Sequence, residues 1–532
     1  MSRYLSIGKR ELIVTLVMVL SSFCFFSCEK TQEEPFERLL EDQVIHSGIF
    51  SSEIKYAVLL PEDYDSTEES YPVVYLLHGY GDDQTAWYKY GLIRYYSDLY
   101  AADNVPMIFV MPQGFNSYYV NRSSGNLRYM DFFTQELVPE IDSLFRTRKE
   151  ASQRAVMGYS MGGYGALILT AKNPGLFGIS VPLSMSFRTD EQYMTEPQEV
   201  FDIQWALIFG GLHATGAERL TGYFLEYSPF HFFDTEDVSA YTGIRMFMDC
   251  GDDEEQLSVT AGALHNLMME RRIPHEFRVR NGGHSWDYWK RALPEALHFI
   301  SCGFEGTAYP EEPEVTGTGE GIPEGSLDLF TAGENGRTVA VLRPETYDEG
   351  TGEYPVIWYF SSGSVEPGSE NALKTLSYLH KAMQENTIPH ALLVEIPEGS
   401  SAPDSLELAT LMVELEARYR VLPGNEGKVL LGHGEGAASI AALAGGFTDR
   451  VNACFLFGAA LTGGEEPAED IFYYVDYTDK SPVFSGNYAF YLKLRESGTA
   501  HEYRVRQGSE PFQAFINGLD GSISYLSRRL KS

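Results

Sequence analysis

The sequence predicts an α/β protein in which a mostly parallel sheet, flanked by helices, occurs twice in tandem. Apolar runs at 71–77 and 107–111 are continuous, as expected for strands that are buried on both faces of a sheet. Helical patterns such as 132–145 recur between apolar runs of this kind, so strands and helices alternate along the chain. After a stretch rich in Pro, Gly, Glu and Thr, the same alternation begins again near residue 328.

Length and composition agree with two globular domains. A chain of 532 residues exceeds what one hydrophobic core usually supports, and a 44% share of apolar residues suits well-buried folds. The formal charge of −35 is spread over the chain without a long basic block. Because phosphate binding needs clustered Lys and Arg, we expect no nucleic-acid partner.

The amino terminus has the pattern of a signal peptide. Basic residues precede an apolar stretch at 12–26, which is short for a membrane span. Residues 25–28 read Phe-Phe-Ser-Cys and resemble a bacterial lipobox with Phe in place of the usual first Leu, which implies lipidation of Cys28. We therefore expect removal of 1–27, an acidic tether at 28–45, and an anchor in the cell envelope, at the outer membrane of a Gram-negative bacterium. The alternative is an ordinary secretory signal that is cleaved elsewhere.

The cysteines predict neither a disulfide framework nor a metal site. Removal of 1–27 leaves Cys28, Cys250, Cys302 and Cys454, and the first would carry lipid. An odd set of three remains, with spacings that suit no metal, although a Cys250–Cys302 bridge stays open.

The leading functional motif is Gly-Tyr-Ser-Met-Gly at 158–162. An apolar run at 155–157 precedes it and a small-residue helix follows, so it reads as strand, sharp turn and helix. In the nucleophile elbow of α/β-hydrolases, such a turn exposes a serine hydroxyl at the end of a sheet, and flanking glycines avoid clashes with neighbouring elements. Ser160 is therefore the candidate nucleophile.

The partners of a catalytic serine follow in the order Ser, acid, His. His284 lies in a glycine-rich turn between a predicted strand and a predicted helix at 288–299, from which an imidazole can reach the elbow. The acid is expected after the predicted strand 244–248, where residues 249–255 offer several carboxylates that the residues alone do not rank.

The chain contains an internal duplication. Residues 275–282 read His-Glu-Phe-Arg-Val-Arg-Asn-Gly and residues 501–508 read His-Glu-Tyr-Arg-Val-Arg-Gln-Gly. In the second copy Gly434 stands where Ser160 is, Glu510 stands where His284 is, and 361–364 replaces the loop 78–81. We therefore expect the second copy to be catalytically silent and His433, which sits in its elbow, to have no catalytic role.

These patterns divide the chain into a catalytic domain at 46–302, a linker at 303–327 and a smaller, degenerate second copy at 328–532. The first copy has about fifty extra residues between elbow and final motif, near 184–233, rich in Phe, Tyr, Leu and Gly. This stretch is expected to line a substrate pocket.

Four separated motifs together resemble the esterase family that includes esterase D, feruloyl esterases, acetylxylan esterases and mycolyltransferases. They are His-Gly-Tyr-Gly at 78–81 with Trp87, the elbow at 158–163, Cys-Gly followed by acids at 250–254, and Gly-His-Ser-Trp at 283–286. The family's acid, normally Asp, falls on Glu254, with Asp253 as the alternative. The resemblance, which covers about 46–302, also implies an oxyanion hole formed by the backbone N–H groups of Tyr80 and Met161.

The expected function is ester hydrolysis through a serine acyl-enzyme, without a metal or an organic cofactor. The resemblance implies feruloyl or acetyl groups on polysaccharide as substrates. Two alternatives stay open: a siderophore esterase of the enterochelin type, and a non-catalytic carbohydrate-binding surface lipoprotein that reuses the hydrolase frame.

Overall fold

The computed structural model describes residues 38–531 apart from 314, 316–320, 323–324, 333–335, 364, 400–401 and 509–510. Within these residues, sixteen strands form one continuous sheet with the order β1-β2-β4-β3-β5-β6-β7-β8-β16-β15-β14-β13-β11-β12-β10-β9. We call residues 38–313 the first half and residues 315–531 the second half. Read from its outer edge inward, each half has the same strand order, so the two halves share one architecture.

In the first half, β2 is antiparallel to β1 and β4, and the strands from β4 to β8 run parallel. The strands are β1 (Leu39–Ser47), β2 (Ser52–Leu59), β3 (Val73–Leu77), β4 (Ile108–Pro112), β5 (Arg154–Tyr159), β6 (Ile179–Leu183), β7 (Arg245–Gly251) and β8 (Glu276–Arg280). The main helices are α1 (Ile93–Leu99), α2 (Val138–Leu144), α3 (Met161–Lys172), α4 (Gln256–Glu270) and α5 (Trp286–Glu305).

The second half repeats this plan, with β10 antiparallel to β9 and β12 and the remaining strands parallel up to β16. Its strands are β9 (Leu327–Ala332), β10 (Arg337–Leu342), β11 (Val356–Ser361), β12 (Leu392–Pro397), β13 (Lys428–His433), β14 (Ala453–Phe457), β15 (Phe472–Thr478) and β16 (His501–Arg506). Its helices are α6 (Glu370–Gln384), α7 (Ser405–Arg418), α8 (Gly434–Leu443), α9 (Phe484–Ser497) and α10 (Pro511–Leu530).

The predicted mostly parallel sheet with helices on both faces is confirmed. Strands such as β3, β4 and β5 are buried at every position, which explains their unbroken apolar sequences. On one face of the sheet a single apolar core continues from the first half into the second. The other face carries two separate cores, one in each half.

The likeness of the halves extends to side-chain contacts far from the matched motifs. Arg146 stacks 3.8 Å from the ring centre of Tyr64, and Arg420 stacks 4.1 Å from that of Tyr347. In both pairs the arginine backbone N–H also donates to the tyrosine hydroxyl at 3.0 Å. The same turn is therefore built by the same contact in each half.

The extra segment of the first half, 184–233, follows the carboxyl end of β6 and forms short helices. They are Asp190–Thr195, Gln198–Val200, Ala206–Phe209, Gly222–Tyr227 and Pro229–Phe232. Their buried aromatic rings stack on α3, with the Phe187 ring parallel to the Tyr164 ring at 4.6 Å and to the Phe224 ring at 5.6 Å. Much of this segment's aromatic content therefore packs into the apolar core that both halves share.

The predicted domain bounds are wrong at two places. The acidic tether was expected to reach residue 45, but residues 39–47 form β1, which pairs with β2. The linker was expected to begin at 303, but α5 continues to Glu305. Beyond it the chain is docked on the second half, because the Pro310 carbonyl accepts from Gln507 Nε2 at 2.8 Å and the Pro313 carbonyl accepts from Asn517 Nδ2 at 3.1 Å.

Several other predictions are decided by the structure or lie outside it. The predicted helix at 132–145 is realised as a short helix (Tyr129–Phe132), a π-helical turn (Phe133–Leu137) and α2. Cys250, Cys302 and Cys454 are free and buried, so the possible bridge does not form. The signal sequence, Cys28 and Glu510 lie outside the described residues. No helix in the described ranges is long and apolar enough to cross a membrane.

Candidate active site

Ser160 lies in a strained turn between β5 and α3. Its backbone angles, φ 58° and ψ −119°, are unusual for a residue other than glycine. A Cβ on Gly158 would lie 2.3 Å from the carbonyl oxygen of Gly162, and a Cβ on Gly162 would lie 2.3 Å from the carbonyl oxygen of Leu77. Both flanking glycines are therefore required by the close approach of strand and helix, as the elbow prediction assumed.

Glu254 is the carboxylate that meets His284. Its Oε2 lies 2.8 Å from His284 Nδ1, and its side chain is fully buried. Its Oε1 accepts from Ser184 Oγ at 2.5 Å and from the Gly251 backbone N–H at 3.0 Å. Asp253, the alternative, is exposed to solvent. Partial desolvation of its carboxyl group and the nearby charge of Asp252 raise its pKa.

The Glu254 contact orients His284. An ionised carboxylate only accepts hydrogen bonds, so Nδ1 carries the proton and Nε2 presents a lone pair. The imidazole is about 38% exposed and packs edge-on against the Trp289 ring, with ring centres 5.0 Å apart. The Nε2 lone pair of His284 can therefore accept a proton at the carboxyl edge of the sheet.

Two serines that sequence reasoning missed connect the nucleophile to the acid. Ser184 Oγ donates to Glu254 and accepts from Trp289 Nε1 at 2.8 Å. Ser186 donates its backbone N–H to the Ser160 carbonyl at 2.9 Å. Their position directly after β6 is the only signal in the sequence, because parallel strands end at the same edge of the sheet.

The loop at 78–81 passes directly beside the elbow. A Cβ on Gly79 would lie 2.7 Å from the Tyr159 ring and 3.4 Å from Ser160 Cβ. His78 is buried, which lowers its pKa; its Nδ1 contacts the Gly79 carbonyl at 2.8 Å and its Nε2 accepts from the Gly114 N–H at 2.7 Å. His78 therefore shapes the loop.

The two backbone N–H groups implied for the oxyanion hole belong to Met161, directly after Ser160, and to Tyr80, in the loop that passes beside the elbow. Met161 is the first residue of α3, so its N–H has no acceptor within the helix. Tyr80 lies in the adjoining loop, where Asn116 Oδ1 accepts from the neighbouring Gly81 N–H at 2.8 Å and fixes the turn.

The corresponding place in the second half keeps the frame and lacks these groups. Gly434 follows β13 with a positive φ of 56°, as Ser160 does after β5. The position three residues after β15, equivalent to Glu254, is Ser481. His433 stacks on Phe515 with ring centres 4.5 Å apart, and burial lowers its pKa to about 4. These residues border a cavity of about 260 Å³.

The first half is thus an α/β domain with a serine, a histidine and a carboxylate at the carboxyl edge of its mostly parallel sheet. Residues 47–300 match the model of the family described as "Putative esterase".

Several known proteins are similar to this region. Esterase Rv1288 of Mycobacterium tuberculosis is 32% identical over 247 residues, which cover 43% of this chain and 51% of that protein. An endo-1,4-beta-xylanase/feruloyl esterase of Xylanibacter ruminicola is 35% identical over 130 residues, 23% of this chain and 18% of that one. A ferulic acid esterase structure shares 25% identity with a TM-score of 0.42, covering 50% of this chain and 98% of its own. The chain spans about half the length of the curated relative it matches first.

Proposed function

We propose that the first half hydrolyses carboxylic esters through an acyl-enzyme on Ser160. The observation that carries this proposal is the 2.8 Å contact between Glu254 and His284 Nδ1, at the edge of the sheet where the strained Ser160 turn ends. A carboxylate in this position holds the tautomer that a general base needs and stabilises the imidazolium that forms.

The proposed reaction uses only groups of this chain. Ser160 Oγ attacks the ester carbonyl while His284 Nε2 takes its proton, and the same proton then goes to the departing alcohol. Water, activated by His284, attacks the acyl-enzyme and releases the acid and free Ser160. The N–H groups of Tyr80 and Met161 are the proposed donors to the oxyanion, each contributing about 3 kcal/mol to the barrier reduction.

We propose feruloyl or acetyl groups on polysaccharide as the substrate class. The support is the match of residues 47–300 to the esterase family model and the similarity to a protein named as a xylanase and feruloyl esterase. The anchor proposed at Cys28 would hold the enzyme at the outer membrane, facing either the periplasm or the cell surface. The Phe-Phe-Ser-Cys segment at 25–28 supports this anchor, and fatty-acid labelling of the expressed protein checks it.

The test is ester hydrolysis by the mature chain and by Ser160→Ala, with p-nitrophenyl acetate and with feruloylated, acetylated and siderophore esters. We expect kcat to fall at least ~1000-fold in Ser160→Ala. Labelling with a fluorophosphonate should add one adduct to the wild-type mass and none to the variant.

Three outcomes would change the proposal. Retained turnover in Ser160→Ala would contradict the proposal that Ser160 is the nucleophile. Preference for a siderophore ester would replace polysaccharide esters by siderophore esters as the proposed substrate class. An inert wild-type protein that binds oligosaccharide supports the carbohydrate-binding alternative.

A further inference from the structure

The two halves meet through strands β8 and β16, which pair antiparallel at the centre of the sheet. Val279 lies opposite Val505, and each is the fifth residue of its copy of the repeated motif. An approximate two-fold rotation therefore relates the two strands of this joint, as in an isologous interface between identical subunits.

Reciprocal ion pairs cross this joint. Asp479 of the second half accepts from Arg278 Nη1 at 2.7 Å and from the Phe277 N–H at 3.2 Å. Asp252 of the first half accepts from Arg504 Nη1, and its Oδ2 also lies 3.3 Å from the Tyr503 N–H. All four charged side chains are at most 7% exposed, so removing one partner leaves a buried charge without its counter-ion.

The two aspartates differ in what else they hold. Asp252 Oδ1 accepts from the Gly282 N–H at 3.1 Å, two residues before His284, and Asp252 itself lies two residues before Glu254. This carboxylate therefore links the loop that carries Glu254, residues 252–255 (the acid loop), to the loop that carries His284, residues 281–285 (the histidine loop). In the second half, Asp479 Oδ1 has no hydrogen-bond partner among the described residues, and the position of Glu254 is Ser481.

A second contact from the second half reaches the end of the acid loop. Helix α4 begins at Gln256, directly after Glu255, whose φ is 44°. The first turn of α4 is held by α9, because Tyr491 Oη lies 2.8 Å from Ser258 Oγ and Tyr488 Oη donates to the Val259 carbonyl at 2.8 Å. The second half therefore contacts the acid loop at Asp252, near its start, and contacts the first turn of α4 directly after its end.

From this geometry we propose that Arg504 of the second half is a positioning residue for the reaction at Ser160: through Asp252 it fixes the two loops that carry Glu254 and His284. The inference rests on the proposed ester hydrolysis. It gives the second half a role in catalysis without chemistry of its own, since a displacement of about 1 Å in a catalytic group can cost about 100-fold in rate.

The joint offers a matched control for the test. Arg504→Met and Arg278→Met each remove one buried guanidinium from equivalent positions of the same interface. Arg278 has the additional ion-pair partner Glu295, so a purely structural role predicts at least as large an effect for Arg278→Met. Only Arg504 reaches the acid and histidine loops through Asp252. Asp252→Asn and Asp479→Asn form a second matched pair, and Arg504→Lys retains the charge if the methionine variant fails to fold.

The measurement is kcat and KM for p-nitrophenyl acetate in the full mature chain, with the melting temperature of each variant. We expect Arg504→Met to lower kcat about 10- to 100-fold with KM within about two-fold, Arg504→Lys to recover part of the loss, and Arg278→Met to keep kcat within about three-fold at a similar melting temperature. Asp252→Asn should lose more activity than Asp479→Asn.

Equal losses of kcat within either matched pair overturn the inference, and so does wild-type kcat in Arg504→Met. Ser160→Ala, measured alongside, separates this failure from failure of the proposed function: if that variant is inactive while Arg504→Met is normal, the hydrolase mechanism stands and the positioning role falls. An inert wild-type chain overturns both.

Discussion

The two halves of this chain share a strand order and differ in their chemistry. Both have a glycine-flanked turn with positive φ after the fifth strand, at Ser160 and at Gly434. The first half adds a buried carboxylate and a histidine in contact, and the second has Ser481 where the carboxylate stands. The frame of the elbow is thus independent of the groups that use it.

The sequence motif and the ion pairs that the two halves share lie at the joint between them. Arg278 with Asp479 and Arg504 with Asp252 are equivalent pairs, and the flanking pairs Arg280 with Asp249 at 3.1 Å and Arg506 with Asp476 at 2.6 Å are equivalent too. Buried charges at an interface must stay paired, whereas a catalytic group can be lost without harm to folding. This difference explains why the repeated motif at 275–282 and 501–508 is the clearest trace of the duplication.

The largest effect that separates the halves is expected at Glu254. Glu254→Gln keeps the side-chain shape but removes the charge that stabilises the imidazolium of His284, so kcat for p-nitrophenyl acetate should fall about 1000-fold. Asp253→Asn is the matched control and should stay within about three-fold, because Asp253 is exposed. A larger loss of kcat in Asp253→Asn than in Glu254→Gln would show that Asp253 is the catalytic acid.

A smaller, thermodynamic difference is expected at His433, which is partly buried at the elbow of the second half. The folded-state pKa of His433 is about 4, below the unfolded value near 6.5, so its contribution to stability is complete above pH 6.5 and is lost as the pH falls towards 4. At pH 5 the loss is about 2 kcal/mol.

Urea unfolding at pH 7.5 and pH 5.0 tests this expectation. His433→Phe retains the stack on Phe515 and should reduce the pH-dependent loss of unfolding free energy by about 2 kcal/mol. His46→Phe, at a side chain that is 79% exposed, is the control. An unchanged acid dependence in His433→Phe would show that His433 is protonated in the folded state.

The smallest effect is expected at the second elbow. Gly434→Ser places a Cβ on a residue with φ 56° and should lower the free energy of unfolding by about 1 kcal/mol. In a Ser160→Ala background this variant should have no esterase activity, because the acid position is Ser481. Gly445→Ser, at a glycine with open space around it, should change stability by less than about 0.5 kcal/mol. Turnover in the double variant would mean that the second half is not silent.

Local patterns predicted the repeated units of the fold. The runs that became β3, β4 and β5 are continuous and apolar because both faces of these strands are covered, and that constraint is visible in single residues. For residues 39–45 the sequence predicts a tether where the structure has β1, because an edge strand with one partner keeps polar, exposed residues such as Glu41 and Asp42.

By itself, the sequence determined the α/β alternation, the duplication, the elbow at Ser160 and the order of its candidate partners, because these follow from periodicity and from residues that only a tight turn requires. The tertiary structure decided that Glu254 rather than Asp253 contacts His284, that Ser184 and Trp289 support this contact, and that Arg504 holds Asp252. These facts depend on which way adjacent loop side chains point and on the packing of one half against the other, and neither is encoded in local spacing.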